Sequence, residues 1–333
     1  MTGIEARDYR HPIGGISKEV RGIATRQHLL VSNSGPDGDG YDYCTRCGRI
    51  ESVSAPEIFL SQPHALPFPN DSDSPCPGFV SKGIVLGTDF PTDIALFALQ
   101  FDAPFRLPPA NSETASAMRT ICEALAKAAC RLLEIEPGEL LAEYRPALNK
   151  SGAAGALVEV FLYDTLAGGA GFSPQLASRG EELFKAALSV LEGCPEQCDA
   201  SCYRCLRSFR NKLDHALLDR FVGAQLVRHV LTGEITLLNA SRAVKSLSIL
   251  ANDLERQLSG DFQIIRGFAQ SKSKAPLIVR RKANGAETLI DIQSPVAPKL
   301  PVFGTTGPAV ILVDDLGIRR HLGEEVEKVV KAL

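Results

Sequence analysis

The stretch GCPEQCDASCYRCLRSFRN, residues 193–211, decides how this chain is read. Cys194, Cys198, Cys202 and Cys205 place four thiols within twelve residues. Zinc takes four soft ligands at tetrahedral corners, and loops of two or three residues let a chain wrap one ion without strain. Four thiolates leave no coordination position open, so such a site is structural rather than catalytic. A core of reduced thiols is the weaker explanation. Glu196, Gln197, Asp199, Ser201 and Arg204 make the segment too polar to bury without a metal. An iron–sulfur cluster is the rival, since four cysteines can also hold four irons.

Upstream, Cys44 and Cys47 in YCTRCGR have the spacing of a zinc knuckle, with Gly48 where such turns need a positive φ. Cys76, in SPCPG, is the expected third ligand, and His64, the one histidine between them, the expected fourth. The other reading of His64 is a solvent-exposed loop histidine. No thioredoxin-like βαβ pattern surrounds the pair, which argues against a redox motif. Two zinc ions are therefore expected. The remaining cysteines, Cys122 and Cys130, lie among Ala and Leu on an expected helix and read as buried free thiols.

The rest of the composition sets bounds. With 333 residues, 44% hydrophobic, the chain can build more than one core. A formal net charge of −3 excludes a wholesale polyanion-coating role, so any nucleic-acid surface is a local patch. The first residues lack the apolar core of a signal peptide, and no window approaches the roughly 20 apolar residues of a membrane span. Nine cysteines, seven of them in short-spaced groups, suit metal binding in a reducing compartment. A cytoplasmic protein without a membrane partner is expected.

Outward from the cysteines, residues 156–165 read as a buried strand, 168–172 (GGAGF) as a tight loop, and 174–193 as an amphipathic helix. A clear helix is expected over 114–133, with Ser112 or Thr114 as N-cap, and another over 213–231. Residues 82–90 and 92–101 read as two strands around a turn at Pro91. From about Thr232 a helix near 243–258 precedes strands at 262–267, 275–281, 287–293 and 308–315 and a terminal helix. The expected fold class is α+β. A zinc-stabilised mixed domain with a four-cysteine site is followed by a smaller α/β C-terminal unit, in segments 1–35, 36–110, 111–231 and 232–333.

The run ALVEVFLYDTLAGGAGF, the helix after it and CPEQCDASCYRCLRSFRN resemble the MrfA-type zinc-binding domain family, which also includes the DrmB component of DISARM phage defence. YCTRCGRIE, the PCPG step and LGTDFPTDIALF are similar to the family's N-terminal part, so the resemblance covers roughly residues 36–231. It carries over directly to Cys194, Cys198, Cys202 and Cys205, and more loosely to Cys44, Cys47 and Cys76. It implies work on DNA with a helicase, in DNA repair or phage defence. No Walker motif is visible, so the chain is expected to act as a non-catalytic module with a helicase or ATPase subunit supplied in trans.

Arg204, Arg207 and Arg210 recur every third residue around the last cysteine, and Lys212 follows. On a metal-pinned turn these cations can reach phosphates while Tyr203 and Phe209 stack on bases. Alternatively, the arginines satisfy the domain's own carboxylates and carbonyls. Gly168 and Gly169 sit between a strand and a helix, where backbone amides can hold a phosphate, although close packing explains them equally well. Two other function classes stay open: a metal-dependent nuclease and a protein-only scaffold. For the nuclease, Asp291 and Gln293 resemble a restriction-type strand, but Pro295 stands where its lysine is expected.

Overall fold

A computed structural model describes residues 7–12, 19–54, 60–68, 74–146, 155–235, 238–267, 276–297 and 310–333. In chain order the strands are β1 (Arg7–Pro12), β2 (Glu19–Asn33), β3 (Tyr41–Cys44), β4 (Ile50–Ser52), β5 (Val80–Ile84) and β6 (Leu86–Asp102). They continue with β7 (Leu140–Pro146), β8 (Gly155–Asp164), β9 (Phe262–Ile265), β10 (Leu277–Arg281), β11 (Glu287–Gln293) and β12 (Val310–Asp314). The helices are α1 (Ser112–Leu133), α2 (Phe172–Ala177), α3 (Gly180–Glu192), α4 (Arg220–Thr232), α5 (Ala240–Leu258), α6 (Asp315–Arg320) and α7 (Leu322–Lys331). Two compact units result: residues 26–92, and residues 1–25 together with 93–333.

The smaller unit is built on the three-stranded antiparallel sheet β4-β3-β5. Among the described residues its buried apolar core is Cys44, Leu60, Cys76 and Val80, with Cys47 and Leu66 packed against it. Two of the four buried residues are candidate metal ligands, so apolar burial alone gives this unit little to fold around.

In the larger unit, a five-stranded sheet runs in the order β1-β2-β6-β8-β7, with β8 antiparallel to both β6 and β7. Along β6 the residues Ala95, Phe97, Leu99 and Phe101 are all buried, the period of two expected for a strand with one face on a core. Phe97 meets Phe184 of α3 edge to face at 5.6 Å. A cavity left by Phe97→Ala would cost about 3–5 kcal/mol. Helices α1, α3 and α4 pack on one another, and α1 also packs on β7. The α1/α4 approach depends on Gly223, where an added Cβ would lie 2.6 Å from Thr120 Cγ2.

Four expectations are corrected. The break between two strands falls at Val85 rather than at Pro91: β5 ends at Ile84, and β6 is a single 17-residue strand running through the exposed Pro91, ahead of the Ile94–Asp102 stretch that pairs with β8. The helix expected over 174–193 is two, broken between Ala177 and Gly180. The helix expected from 213 starts at Arg220, because the Asp219 carboxylate accepts from the amides of Phe221 and Val222 and caps it. The N-cap of α1 is Asn111 rather than Ser112 or Thr114.

The C-terminal part of this unit has its own core, including Leu247, Leu250, Leu254, Val279, Ile290 and Val313. Its sheet order is β12-β11-β10-β9, antiparallel except for the parallel β11/β12 pair. No helix among the described residues is long and apolar enough to cross a membrane.

Candidate metal centres and the surface beside them

The four-cysteine loop begins where α3 ends. Cys194 follows the C-cap Gly193, and the chain turns back at once with Gln197 in a left-handed conformation (φ 46°) and its amide donating to Cys194 O at 3.0 Å. A second turn places the amides of Cys205, Leu206 and Arg207 within 3.1 Å of Cys202 O. These two turns bring all four sulfurs within 4.8 Å of one another. The Sγ–Sγ distances are 3.6 Å for Cys194–Cys198, Cys194–Cys202 and Cys198–Cys205, and 3.7 Å for Cys202–Cys205. A tetrahedron with Zn–S bonds of about 2.3 Å has edges of about 3.8 Å, so this donor set fits zinc. Burial pushes the Cys194 thiol up, but the Cys198 amide and the neighbouring thiols outweigh it and bring it down to about 7.

The second group assembles from distant positions. Cys44, Cys47, His64 and Cys76 also place their ligand atoms within 4.8 Å of one another. Cys44 Sγ lies 3.9 Å from Cys76 Sγ, and Cys47 Sγ lies 3.2 Å from His64 Nε2. An isolated antiparallel bridge explains how two loop residues meet: His64 N donates to Cys76 O (3.1 Å) and Cys76 N to His64 O (2.7 Å). The other ring nitrogen, His64 Nδ1, lies 2.8 Å from Ser61 O, which fixes the imidazole so that Nε2 faces the sulfurs. His64 is buried, not the solvent-exposed loop histidine of the other reading. Gly48 has φ 76°, as the knuckle turn requires. Burial raises the Cys44 thiol, yet the amides of Cys47 and Arg46 draw it down to about 6.

Gly78 was not singled out from the sequence. A Cβ there would sit 2.6 Å from Arg46 Cβ and 2.7 Å from Cys44 Sγ, so only glycine fits beside the sulfurs. The PCPG step contained the signal.

The residues around Cys205 divide into two groups. Tyr203 and Phe209 are 65% and 78% exposed, and Arg204, Arg210 and Lys212 are exposed beside them. The Lys212 ammonium lies 4.8 Å from the centre of the Phe209 ring, Tyr203 meets His215 edge to face, and Arg210 lies against Gly138. Arg207 is turned inward instead. It is half-buried and donates from Nε to Ser201 Oγ at 2.9 Å, so it braces the metal loop. Asn211, which sequence reasoning missed, stitches this loop. Its Oδ1 accepts from Ser208 N (2.8 Å), and its Nδ2 donates to Leu206 O (3.0 Å) and Glu123 Oε2 (2.7 Å).

The glycine loop does not present itself to a phosphate. The amides of Ala170, Phe172 and Ser173 donate to the buried Asp164 carboxylate, and Gly171 N donates to Asp93. Gly169 packs so closely on Asp93 that a Cβ would meet Oδ2 at 2.2 Å. Gly168 and Gly169, both at positive φ, thus shape a turn whose anion positions the chain's own carboxylates occupy. The same contacts explain Asp93 and Asp164 as structural acids.

Residues 121–206 match the family model of the MrfA Zn-binding domain. The chain is 31% identical over 291 residues to the Druantia protein DruE of Escherichia coli, across 83% of this chain and 15% of that protein, so it spans about a seventh of its relative's length. Two crystal structures of the helicase MrfA, one bound to DNA and one to DNA and AMPPNP, align with TM-scores of 0.38 and 0.31 at 11% identity. The alignments cover 70% and 66% of this chain and 25% and 27% of those chains. The chain therefore carries an MrfA-type Zn-binding domain at residues 121–206, with the four-cysteine cluster inside it.

Proposed function

We propose that this chain is a non-catalytic zinc-binding module that engages DNA together with a helicase, in DNA processing such as repair or in defence against phage. Cys194, Cys198, Cys202 and Cys205 would hold one zinc ion and Cys44, Cys47, His64 and Cys76 a second, each as a structural staple. The helicase motor lies outside residues 1–333, where no Walker motif is present. The MrfA-type domain and the likeness to DruE support the helicase and defence setting.

One observation carries the DNA reading. Two aromatic rings stand largely exposed on a loop that the cysteines and Asn211 hold rigid, with Arg204, Arg210 and Lys212 around them. Exposed aromatics of this kind gain nothing from burial within the chain, while rings and cations in alternation suit bases and phosphates. Arg204→Ala with Arg210→Ala should weaken DNA binding and lower the slope of log affinity against log salt by about one for each phosphate no longer neutralised, with the zinc content intact. Phe209→Ala should weaken binding with little change of slope. Fluorescence polarisation across a salt series measures both, and unchanged affinity in both variants would leave the protein-only scaffold as the better reading.

A further inference from the structure

The backbone of the four-cysteine loop is gripped by three cations from three different helices. Arg220 Nε donates to Cys198 O at 2.8 Å, Arg242 Nη1 donates to Asp199 O at 3.0 Å, and Lys127 Nζ donates to Cys205 O. Their charges are committed differently. Arg242 is almost fully buried and pairs with two carboxylates, Asp219 at 2.6 Å and Asp315 at 2.6 Å. Arg220, only 8% exposed, donates to carbonyl oxygens: Cys198 O, and Leu191 O and Glu192 O at the end of α3. Lys127, half-buried on α1, likewise meets a carbonyl. The nearest acid on its own helix, Glu123, is engaged by Arg119 and Asn211.

Two cations held by carbonyls beside a metal loop invite a charge comparison. Zinc held by four thiolates is a dianion, with a net charge of about −2 once each cysteine has lost its proton. With Cys194 and Cys205 buried and Cys198 and Cys202 partly buried, charge of that size is costly unless opposite charge lies close by, where the interior screens poorly. We propose that Lys127 and Arg220 are the counter-charges of this dianion and that they set how tightly the loop retains its metal. The two charges match in number, and each cation touches the peptide carbonyl of a ligand, Cys205 or Cys198. The proposal rests on the zinc reading of Cys194–Cys205 and gives these residues a role in metal affinity rather than in shape alone.

Arg220→Met would remove three hydrogen bonds from a buried position, so Lys127 carries the test. In a full-length chain whose second site is silenced by Cys44→Ser and Cys47→Ser, Lys127→Met keeps the side-chain length and removes the charge, whereas Lys127→Arg keeps the charge. Zinc affinity is read by competition with a chromogenic chelator. The melting temperature of the zinc-saturated protein and the cobalt-substituted absorption spectrum report whether fold and ligand set are intact. Lys127→Met should hold zinc on the order of 10-fold more weakly, and Lys127→Arg should recover most of that loss. Equal affinity in Lys127→Met and its parent would overturn the proposal, as would a Lys127→Arg variant as weak as Lys127→Met. A parent that takes up no zinc would overturn the zinc reading itself, and this shows before any Lys127 variant is made.

Discussion

The two cysteine groups hold similar donor geometry by opposite means. Cys194–Cys205 is contiguous, supplies four thiolates, and hangs from a core of three packed helices with Lys127, Arg220 and Arg242 holding its carbonyls. Cys44, Cys47, His64 and Cys76 span a much longer stretch and sit in a unit whose buried apolar core is Cys44, Leu60, Cys76 and Val80. In the first case the protein positions the site. In the second, on the proposed zinc reading, the site would hold the protein together, as in small metal-stapled domains. The difference predicts what each metal does when removed.

The largest effect should follow Cys44→Ser with Cys47→Ser. Structural zinc contributes on the order of 10 kcal/mol to small domains of this kind, more than the few buried apolar residues described there can replace. Residues 26–92 should lose their amide-exchange protection and become protease-sensitive throughout. Cys202→Ser with Cys205→Ser should instead open only the loop between α3 and α4, leaving α1 and β6–β8 protected. If both pairs of substitutions unfold their surroundings to the same extent, the contrast fails.

A smaller effect is expected from Asp219→Ala. It removes the bidentate partner of buried Arg242 and the cap of α4 together, at a cost of about 3–5 kcal/mol. Because Arg242 also holds Asp199 O, zinc should be lost more readily from Cys194–Cys205 and not from the second group. Gly78→Ala should do the reverse. Its Cβ would press on Cys44 Sγ and Arg46 Cβ, an overpacking that costs about 1–3 kcal/mol and is confined to the Cys44 site. Chelator competition on the two variants reads both shifts. The smallest effect belongs to Glu196→Ala, whose partner Arg204 lies 3.8 Å away with both side chains exposed. Melting temperature and zinc content should stay within error, since such pairs contribute about 0–1 kcal/mol.

What was legible in the sequence followed the range of the interactions. Helix α1 and the four-cysteine loop show themselves through spacing within a few residues, and both stand where expected. His64 was reached by elimination, but the bridge to Cys76 that carries it to the sulfurs is a long-range pairing with no local signature. The start of α4 was missed by seven residues because LDHALLD has helical periodicity, yet the Asp219 cap fixes the first turn after it. Pro91 suggested a turn because proline usually ends strands, but it tolerates an exposed strand position. The glycine loop misled for a different reason. Amides at a strand–helix junction suit any anion, and only the fold shows that Asp93 and Asp164 supply it.

Metal analysis of the purified full-length chain and the two double variants tests the central claim most directly. Two zinc ions per chain are expected in the parent. One should remain in Cys44→Ser/Cys47→Ser and one in Cys202→Ser/Cys205→Ser, each from the untouched group. Iron in place of zinc, or a double variant that keeps both ions, would contradict it.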